Sequence, residues 1–254
     1  MSDPRLAIIP DRFDKVKRII AVSSGKGGVG KSMVAVALAL SRRAHNHKVG
    51  LLDLDFTSPS THIILGVEGL YPEEEKGITP PVTQGLSYMS IIHYSTDEPV
   101  PLRGVDASNA IIELLAITRW EELDYLIIDM PPGIGDATLD MLRLIPRIEF
   151  LVVTTPSRLA YESVKKLLIL LKDQNIPTIG VVENMVVEQT GYIKEEIHKI
   201  GLRYLGTINH DASVEASIGH PDRLKKTRFY RQVEKMGEGI QVTSPSSSRA
   251  RPPS

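Results

Sequence analysis

Short runs of apolar and β-branched residues alternate along the chain with segments whose apolar residues recur at helical spacing. The runs predict strands over residues 18–24, 48–53, 86–92, 125–129, 150–154, 178–182 and 204–208. Several runs, such as 125–129, carry no polar alternation, which is typical of strands that are covered on both faces.

The intervening segments predict helices over residues 31–44, 106–118, 137–144, 158–174, 192–200 and, more weakly, 213–218. The helix at 158–174 has an apolar stripe at 3.6-residue spacing, and Ser157 is placed to cap its first amides. Alternating strands and helices predict an α/β fold, a doubly wound and mostly parallel sheet flanked by helices. Ligands of such folds bind at the carboxyl ends of the strands.

The length of 254 residues suits one large α/β domain, which we assign to residues 18–240. Residues 1–17 are polar and interrupted by Pro4 and Pro10, so we expect an N-terminal segment outside the domain. Residues 241–254 are rich in Ser, Pro and Arg and predict a disordered tail. Residues 71–85, with three acids, two adjacent prolines and two glycines, predict a long loop.

Composition narrows the functional classes. The chain contains no cysteine, which excludes disulfides, thiolate zinc sites and an iron–sulfur cluster held by its own thiolates. From a net charge of −1 we expect no nucleic-acid partner, because a non-specific DNA binder carries a basic surplus. We see neither an apolar leader nor an apolar run of membrane-spanning length, and we expect a cytoplasmic protein.

The strongest motif is Gly25-Lys26-Gly27-Gly28-Val29-Gly30-Lys31-Ser32, which fits G-x-x-x-x-G-K-[ST] between a predicted strand and a predicted helix. Its glycines allow successive amides to point at an anion, and the helix amino terminus adds partial positive charge. Lys31 is expected to reach the β- and γ-phosphates, and the Ser32 hydroxyl to bind Mg²⁺. The predicted phosphate-binding residues are Gly25, Gly27, Gly28, Val29, Gly30, Lys31, Ser32 and Met33.

Acidic residues follow two of the predicted strands. Asp53 and Asp55 end the second strand, and strand alternation places both on one face. Asp129 ends another buried strand, where an acid is expected to meet Mg²⁺ through water beside Ser32. The pair Asp53 and Asp55 can hold Mg²⁺-bound water or orient an attacking water, and we interpret Asp129 as a metal-site residue.

Two stretches resemble a known family. The motif at 25–32, with its additional Lys26, resembles the deviant Walker A motif of the MinD/ParA/Mrp class of P-loop ATPases. The stretch 123–136, LDYLIIDMPPGIGD, is similar to the Mrp/ApbC branch of iron–sulfur cluster carriers. The resemblance covers roughly residues 17–236 and implies an ATP hydrolase that is slow or stimulated by a partner.

The resemblance also implies a homodimer that sandwiches two nucleotides. Lys26 would reach across to the phosphates of the other protomer, where it would act in catalysis beside that protomer's own Lys31. The resemblance further implies that Asp55 orients the attacking water and that Asp53 lies nearer the metal. By itself, Lys26 is equally well interpreted as a solvated loop lysine.

The segment 181–185, VVENM, extends the resemblance and implies that Asn184 hydrogen-bonds the adenine base. No N-K-x-D guanine motif occurs in the sequence, which favours ATP over GTP. Relatives of the Mrp branch carry a C-x-x-C loop after this segment, whose cysteines bridge a cluster in the dimer. Residues 186–190 contain neither Cys nor His. We therefore expect no cluster on this chain alone, and a Cys-bearing relative or an iron–sulfur client as a partner.

Two other functions stay open. One is a spatial or partition ATPase of the MinD/ParA kind, for which the chain offers only a short amphipathic segment at 229–236 and a basic run at 223–228. We expect no membrane anchor. The other is a low-turnover, ATP-gated adaptor for a cluster-assembly partner.

Overall fold

The computed structural model describes residues 3–74, 77–93 and 105–241, so the predicted tail lies outside the described residues apart from Gln241. The strands are β1 (Val16–Ser24), β2 (Val49–Asp53), β3 (Glu73–Glu74), β4 (Ile78–Thr79), β5 (Val82–Thr83), β6 (Leu86–Ser90), β7 (Leu123–Asp129), β8 (Ile148–Thr154), β9 (Thr178–Val186) and β10 (Tyr204–Asn209). The helices are α1 (Pro4–Arg12), α2 (Lys31–Ala44), α3 (Thr61–Leu65), α4 (Val105–Ile117), α5 (Asp136–Leu144), α6 (Arg158–Asp173), α7 (Tyr192–Lys199), α8 (Pro221–Leu224) and α9 (Arg228–Glu238). Two 3₁₀ turns cover Ile91–His93 and Ala212–Ser217.

The main sheet has the strand order β10-β9-β8-β1-β7-β2-β6-β5. Its strands pair in parallel, except that β5 is antiparallel to β6. The predicted doubly wound α/β class is thereby confirmed. The chain crosses to opposite sides of β1 when it forms β2 and β8, which makes the carboxyl end of β1 the switch point where ligands bind in such sheets.

Each face of the sheet carries its own buried core. Residues of α1, α4, α5, α6 and α7 pack on one face, and residues of α2, α3, α8 and α9 pack on the other. Successive residues of one strand alternate between these cores, as Ile19 and Ile20 do in β1. Burial on both faces explains why the central strands read as unbroken apolar runs.

Within residues 1–17, which the sequence predicts as an N-terminal segment, the described part forms α1 and the start of β1. Pro4 stands in the first turn of α1, where its missing N–H costs nothing, and the Asp3 side chain caps the Arg5 amide. Pro10 lies in the last turn of this short helix. Burial of Ile9 and Phe13, about 2 kcal/mol each, ties α1 to the domain core.

Three smaller differences concern the predicted strands and loop. The strand predicted over 86–92 ends at Ser90 and continues as the 3₁₀ turn. The strand predicted to stop at 182 runs on to Val186, so Asn184 lies within β9 and not at its end. Within 71–85, the described residues form the β3–β4 pair and β5.

Candidate functional site at the carboxyl ends of the strands

The predicted phosphate loop connects β1 to α2 at the switch point of the sheet. Gly28 and Gly30 have φ of 78° and 79°, a left-handed conformation that favours glycine. A Cβ on Gly30 would lie 2.4 Å from Nδ2 of Asn184, and one on Gly25 would lie 2.4 Å from the backbone nitrogen of Val164 in α6. Glycine is therefore required by conformation at Gly28, by close packing at Gly25, and by both at Gly30.

Lys31 lies at the centre of the site, and only 6% of its side chain is exposed. Its Nζ donates a hydrogen bond to Oδ1 of Asp129 at 2.6 Å and lies 3.6 Å from Oδ2 of Asp55. The Ser32 hydroxyl is 3.2 Å from the same nitrogen. The fold therefore brings three of the predicted residues, Asp129, Asp55 and Ser32, together around the buried ammonium group of Lys31.

Asp129 ends β7 and is fully buried. Its Oδ2 has no hydrogen-bond partner within the described part of the chain. Burial raises the pKa of Asp129 to about 7, against the opposing effect of the Lys31 ammonium. A buried carboxylate oxygen without a partner is a position that a cation would satisfy.

The residues present fit Mg²⁺. The open Oδ2 of Asp129 and the half-buried hydroxyl of Ser32 are hard oxygen donors of the type that Mg²⁺ prefers. Across residues 3–74, 77–93 and 105–241, no group of three or more His, Asp or Glu side chains could hold a metal on its own. A magnesium ion here would take its other ligands from water and nucleotide phosphates, as it does in phosphate-loop enzymes generally.

Asp53 is engaged by the protein itself. Its Oδ1 accepts the Asp55 amide at 3.0 Å, and its Oδ2 accepts the Thr61 amide at 3.2 Å and the Thr61 hydroxyl at 2.6 Å. Burial raises the pKa of Asp53, and these hydrogen bonds act in the opposite direction. Both oxygens of Asp53 therefore shape the segment after β2, and the Thr61 hydroxyl is linked in turn to Tyr88 Oη at 2.9 Å.

Asp55 reaches Lys31 by a route that strand alternation did not predict. The strand β2 ends at Asp53, so Asp55 belongs to the turn that follows. Its Oδ1 accepts the Ser58 amide at 3.2 Å, while its Oδ2 faces Lys31. The hydrogen bonds of Asp53 fix this turn, and with it the position of Asp55.

Lys26 differs from Lys31 in its surroundings. It is exposed, and within the described residues it takes part in no ion pair. Its carbonyl oxygen accepts the Ser24 hydroxyl at 3.0 Å, which fixes the backbone of the loop at this point. The side chain thus remains available to a group outside the protomer.

A cavity of about 270 Å³ opens beside the start of α2. It is lined by Gly30, Met33, Asn184, Met185, Asn209, His210, Asp211, Ala212, Val214, Glu215 and Phe229. The Asn184 amide donates to the Val29 carbonyl at 2.9 Å and thereby joins β9 to the phosphate loop. Sequence reasoning missed the lining residues from 209 to 215, although their place directly after β10 is the strand-end signal that indicates a ligand site.

Comparison with known proteins decides the family. The family described as ParA, NUBPL iron-transfer P-loop NTPase matches residues 15–226. The chain belongs to this family. The predicted resemblance to the MinD/ParA and Mrp/ApbC ATPases is thereby confirmed.

Individual members of this group resemble the chain to different degrees. The iron-sulfur cluster carrier protein of Escherichia coli K12 is 45% identical over 175 residues, which are 68% of this chain and 47% of that protein. This chain therefore spans about half the length of that relative. A nucleotide-binding protein of Archaeoglobus fulgidus, solved in complex with ADP, has 32% identity and a TM-score of 0.73, covering 87% of this chain and 93% of its own. The cell division ATPase MinD of Pyrococcus furiosus, at 24% identity and a TM-score of 0.64, covers 88% of this chain and 98% of its own and shares the fold.

Two further features concern the segment after β9 and the helices. The residues after β9, where the resemblance implies a C-x-x-C loop, lead to α7 without a cysteine, and Val187 there is 82% exposed. None of the helices in the described part of the chain has the length and apolar content of a membrane span.

Proposed function

We propose that this chain is a Mg-ATP-hydrolysing nucleotide switch that acts as a homodimer in iron–sulfur cluster metabolism. The observation that carries the proposal is the buried ammonium group of Lys31, which donates a hydrogen bond to Asp129. Lys31 is the first residue of α2 and follows the glycine loop directly. A buried cation at this place has two roles in turn. It pairs with Asp129 when no phosphate is present, and it is displaced towards the phosphates when ATP binds.

The chain's own residues divide the work. The amides of the phosphate loop and the Lys31 ammonium would hold the β- and γ-phosphates. The Asp55 carboxylate, held by its turn, would orient the attacking water towards the γ-phosphate. Lys26 of the opposite protomer would place a second cation beside the charge that develops there, as an arginine finger does.

The metal contributes one further element. Ser32 and Asp129, supported by Asp53, would hold Mg²⁺, which would neutralise phosphate charge. The Asn184 side chain and the 270 Å³ cavity would receive the adenine base, because an amide offers both a donor and an acceptor.

Binding and turnover of ATP test this assignment. Lys31→Ala is expected to abolish Mg-ATP binding, measured by fluorescence of a labelled ATP analogue. Lys26→Ala is expected to keep the affinity within about threefold and to lower turnover about 100-fold, because its charge acts at the transition state. Unchanged turnover in the Lys26→Ala chain would contradict action across a dimer, and ATP binding by Lys31→Ala would contradict the site itself.

The link to iron–sulfur chemistry is proposed from the relatives' description and from the family. Since the chain has no cysteine, a cluster would be handled together with a Cys-bearing relative or a client protein. Reconstitution of the purified chain is expected to leave iron and sulfide at background. A stoichiometric cluster on the chain alone would contradict this part of the proposal, and a pull-down in ATP against ADP would identify the partner.

One observation favours the adaptor over the spatial ATPase as the second candidate. The amphipathic segment at 229–236 lies in α9, whose Phe229, Tyr230 and Val233 are buried in the core shared with α2. Its apolar face is therefore occupied within the fold. Co-sedimentation with liposomes or DNA, with and without ATP, is expected to show no binding, and binding of either would favour the spatial ATPase.

A further inference from the structure

A second cavity lies away from the nucleotide site, at the end of the sheet where β7 begins. It has a volume of about 400 Å³ and is lined by Arg42, His45, His47, Tyr125, Glu238 and Gln241. Arg42 and His45 belong to the carboxyl end of α2, and Glu238 ends α9. None of these residues belongs to the predicted phosphate, metal or base sites, so this Arg42 cavity is a separate feature.

Arg42 is the unusual residue of the cavity, because it is 5% exposed and lacks a carboxylate partner among the described residues. Its Nε has no hydrogen-bond acceptor within residues 3–74, 77–93 and 105–241. Its one hydrogen bond there is long, 3.4 Å from Nη2 to the Ser41 hydroxyl. A nearly buried guanidinium that faces no carboxylate among the described residues would interact favourably with an anion that enters this cavity.

The neighbouring helix is shaped to accommodate this guanidinium. A Cβ on Gly237 of α9 would lie 2.8 Å from Nη2 of Arg42, so glycine leaves the space that the side chain occupies. Glycine lowers the stability of a helix, and its presence here serves the placement of Arg42. The carboxyl ends of α2 and α9 add partial negative charge near the cation, but they supply no acceptor to Nε.

The other lining groups define what the cavity can bind. The Tyr125 hydroxyl donates to the Ile240 carbonyl and is occupied. His45 donates from Nδ1 to the Ser41 carbonyl at 2.8 Å. His47 packs edge-on against the Tyr125 ring, with its Nδ1 3.7 Å from Oδ2 of Asp124. Arg42, His45, His47 and Gln241 therefore surround the space with nitrogen-bearing side chains, while the one acid in the lining, Glu238, is exposed at the rim.

We propose that the Arg42 cavity is a second anion site, which binds the phosphate group of a small molecule through the guanidinium fork of Arg42. The fork presents parallel N–H donors that match phosphate oxygens, and His45 and His47 supply the remaining contacts at the wall. The site is independent of the nucleotide site in residues and in location, so it stands or falls separately from the proposed ATPase.

The test uses inorganic phosphate as the probe and the side-chain NMR signals of His45 and His47 as local readouts in the full chain. Phosphate is expected to shift both signals saturably in the wild type and in the Lys31→Ala chain. Arg42→Met is expected to abolish the shifts, whereas Arg43→Met, at the exposed neighbour on the same helix, is expected to retain them. Absent shifts in the wild type, or equal shifts in Arg42→Met, would overturn the proposal.

Two further arms separate the chemistry from folding effects. Arg42→Lys keeps the charge but loses the fork, and it is expected to weaken phosphate binding about tenfold. Acetate at equal ionic strength is expected to produce no saturable shift. Binding by Arg42→Lys at wild-type affinity, or an acetate response equal to that of phosphate, would overturn the assignment of a phosphate site.

Discussion

Asp53 and Asp129 end two neighbouring strands, and they stand opposite each other in the register of β2 and β7. Both are fully buried, and burial raises the pKa of each. They differ in their partners: the protein donates three hydrogen bonds to the two oxygens of Asp53, whereas one oxygen of Asp129 has no partner in the described chain.

This difference assigns the two acids to different tasks. Asp53 holds the turn that carries Asp55, and it is supported from behind by Thr61 and Tyr88. Asp129 pairs with Lys31, the proposed phosphate-binding residue, and its Oδ2 has no donor within the described residues. We therefore propose Asp129, and not Asp53, as the acid whose free oxygen faces the cation.

Replacement of Asp129 or Asp53 by asparagine should have the largest effects, on turnover in the first case and on stability in the second. Asp129→Asn is expected to lower Mg-dependent ATP turnover about 100-fold, because it removes charge at the metal. Its free energy of unfolding is expected to change by less than about 1 kcal/mol, since this site does not favour the ionised carboxylate. Asp53→Asn is expected to lower the free energy of unfolding by about 2 kcal/mol, because its amide nitrogen cannot accept hydrogen bonds from the buried groups of Asp55 and Thr61.

Turnover assays and urea unfolding of the two chains measure both effects. Lys31→Ala serves as the reference for complete loss of function. Should Asp129→Asn destabilise the fold more than Asp53→Asn does, the assignment of the two tasks would be reversed.

The pH dependence of stability offers a second way to examine Asp129. Its pKa rises from 3.8 to about 7 on folding, so between these values the folded protein holds a proton that the unfolded chain releases. Stability should therefore fall as the pH rises from about 4 to about 7, and this contribution should level off above that. Urea unfolding without nucleotide is expected to show the fall in the wild type and a smaller one in Asp129→Asn. Equal slopes for the two chains would contradict the raised pKa.

The support behind Asp53 should give the smallest effects. Thr61→Val removes a buried hydroxyl donor and is expected to lower the free energy of unfolding by about 1 kcal/mol. Thr61→Ser keeps the hydroxyl and is expected to retain most of this stability. The Tyr88 hydroxyl contacts Thr61 and is linked to Asp53 only through it, so Tyr88→Phe is expected to lower the free energy of unfolding by about 0.5 kcal/mol. Thr61→Val and Tyr88→Phe should each lower kcat more than they raise KM for ATP, because they loosen the turn that carries Asp55 and leave the phosphate loop unchanged. A pure KM effect would show that the turn positions substrate instead.

Local patterns predicted much of this arrangement. The helix α2 begins and ends where its periodicity placed it, because the glycine motif marks its start and a continuous apolar face follows. The central strands were predicted because burial on both faces leaves an unbroken apolar run. The site residues Lys31, Asp55 and Asp129 were predicted from motifs, because a glycine loop and acids at strand ends can be recognised in the sequence.

Other features depend on contacts between distant residues. Pro4 and Pro10 suggested an interrupted segment, but the segment forms α1, because Ile9 and Phe13 pack on the core and stabilise it. The Thr61 hydroxyl, which engages Asp53, has no sequence signal, because a threonine eight residues beyond an acid is unremarkable until the chain folds back.

The sequence by itself determined the fold class, the phosphate loop and the identity of the acids near it, because these follow from local periodicity and from motifs within one strand–loop–helix unit. Among the described residues, the tertiary structure decided that Asp129 has an oxygen without a donor and that Arg42 is buried without a carboxylate partner. Hydrogen-bond satisfaction depends on groups that are far apart in the chain, and only their final positions settle it.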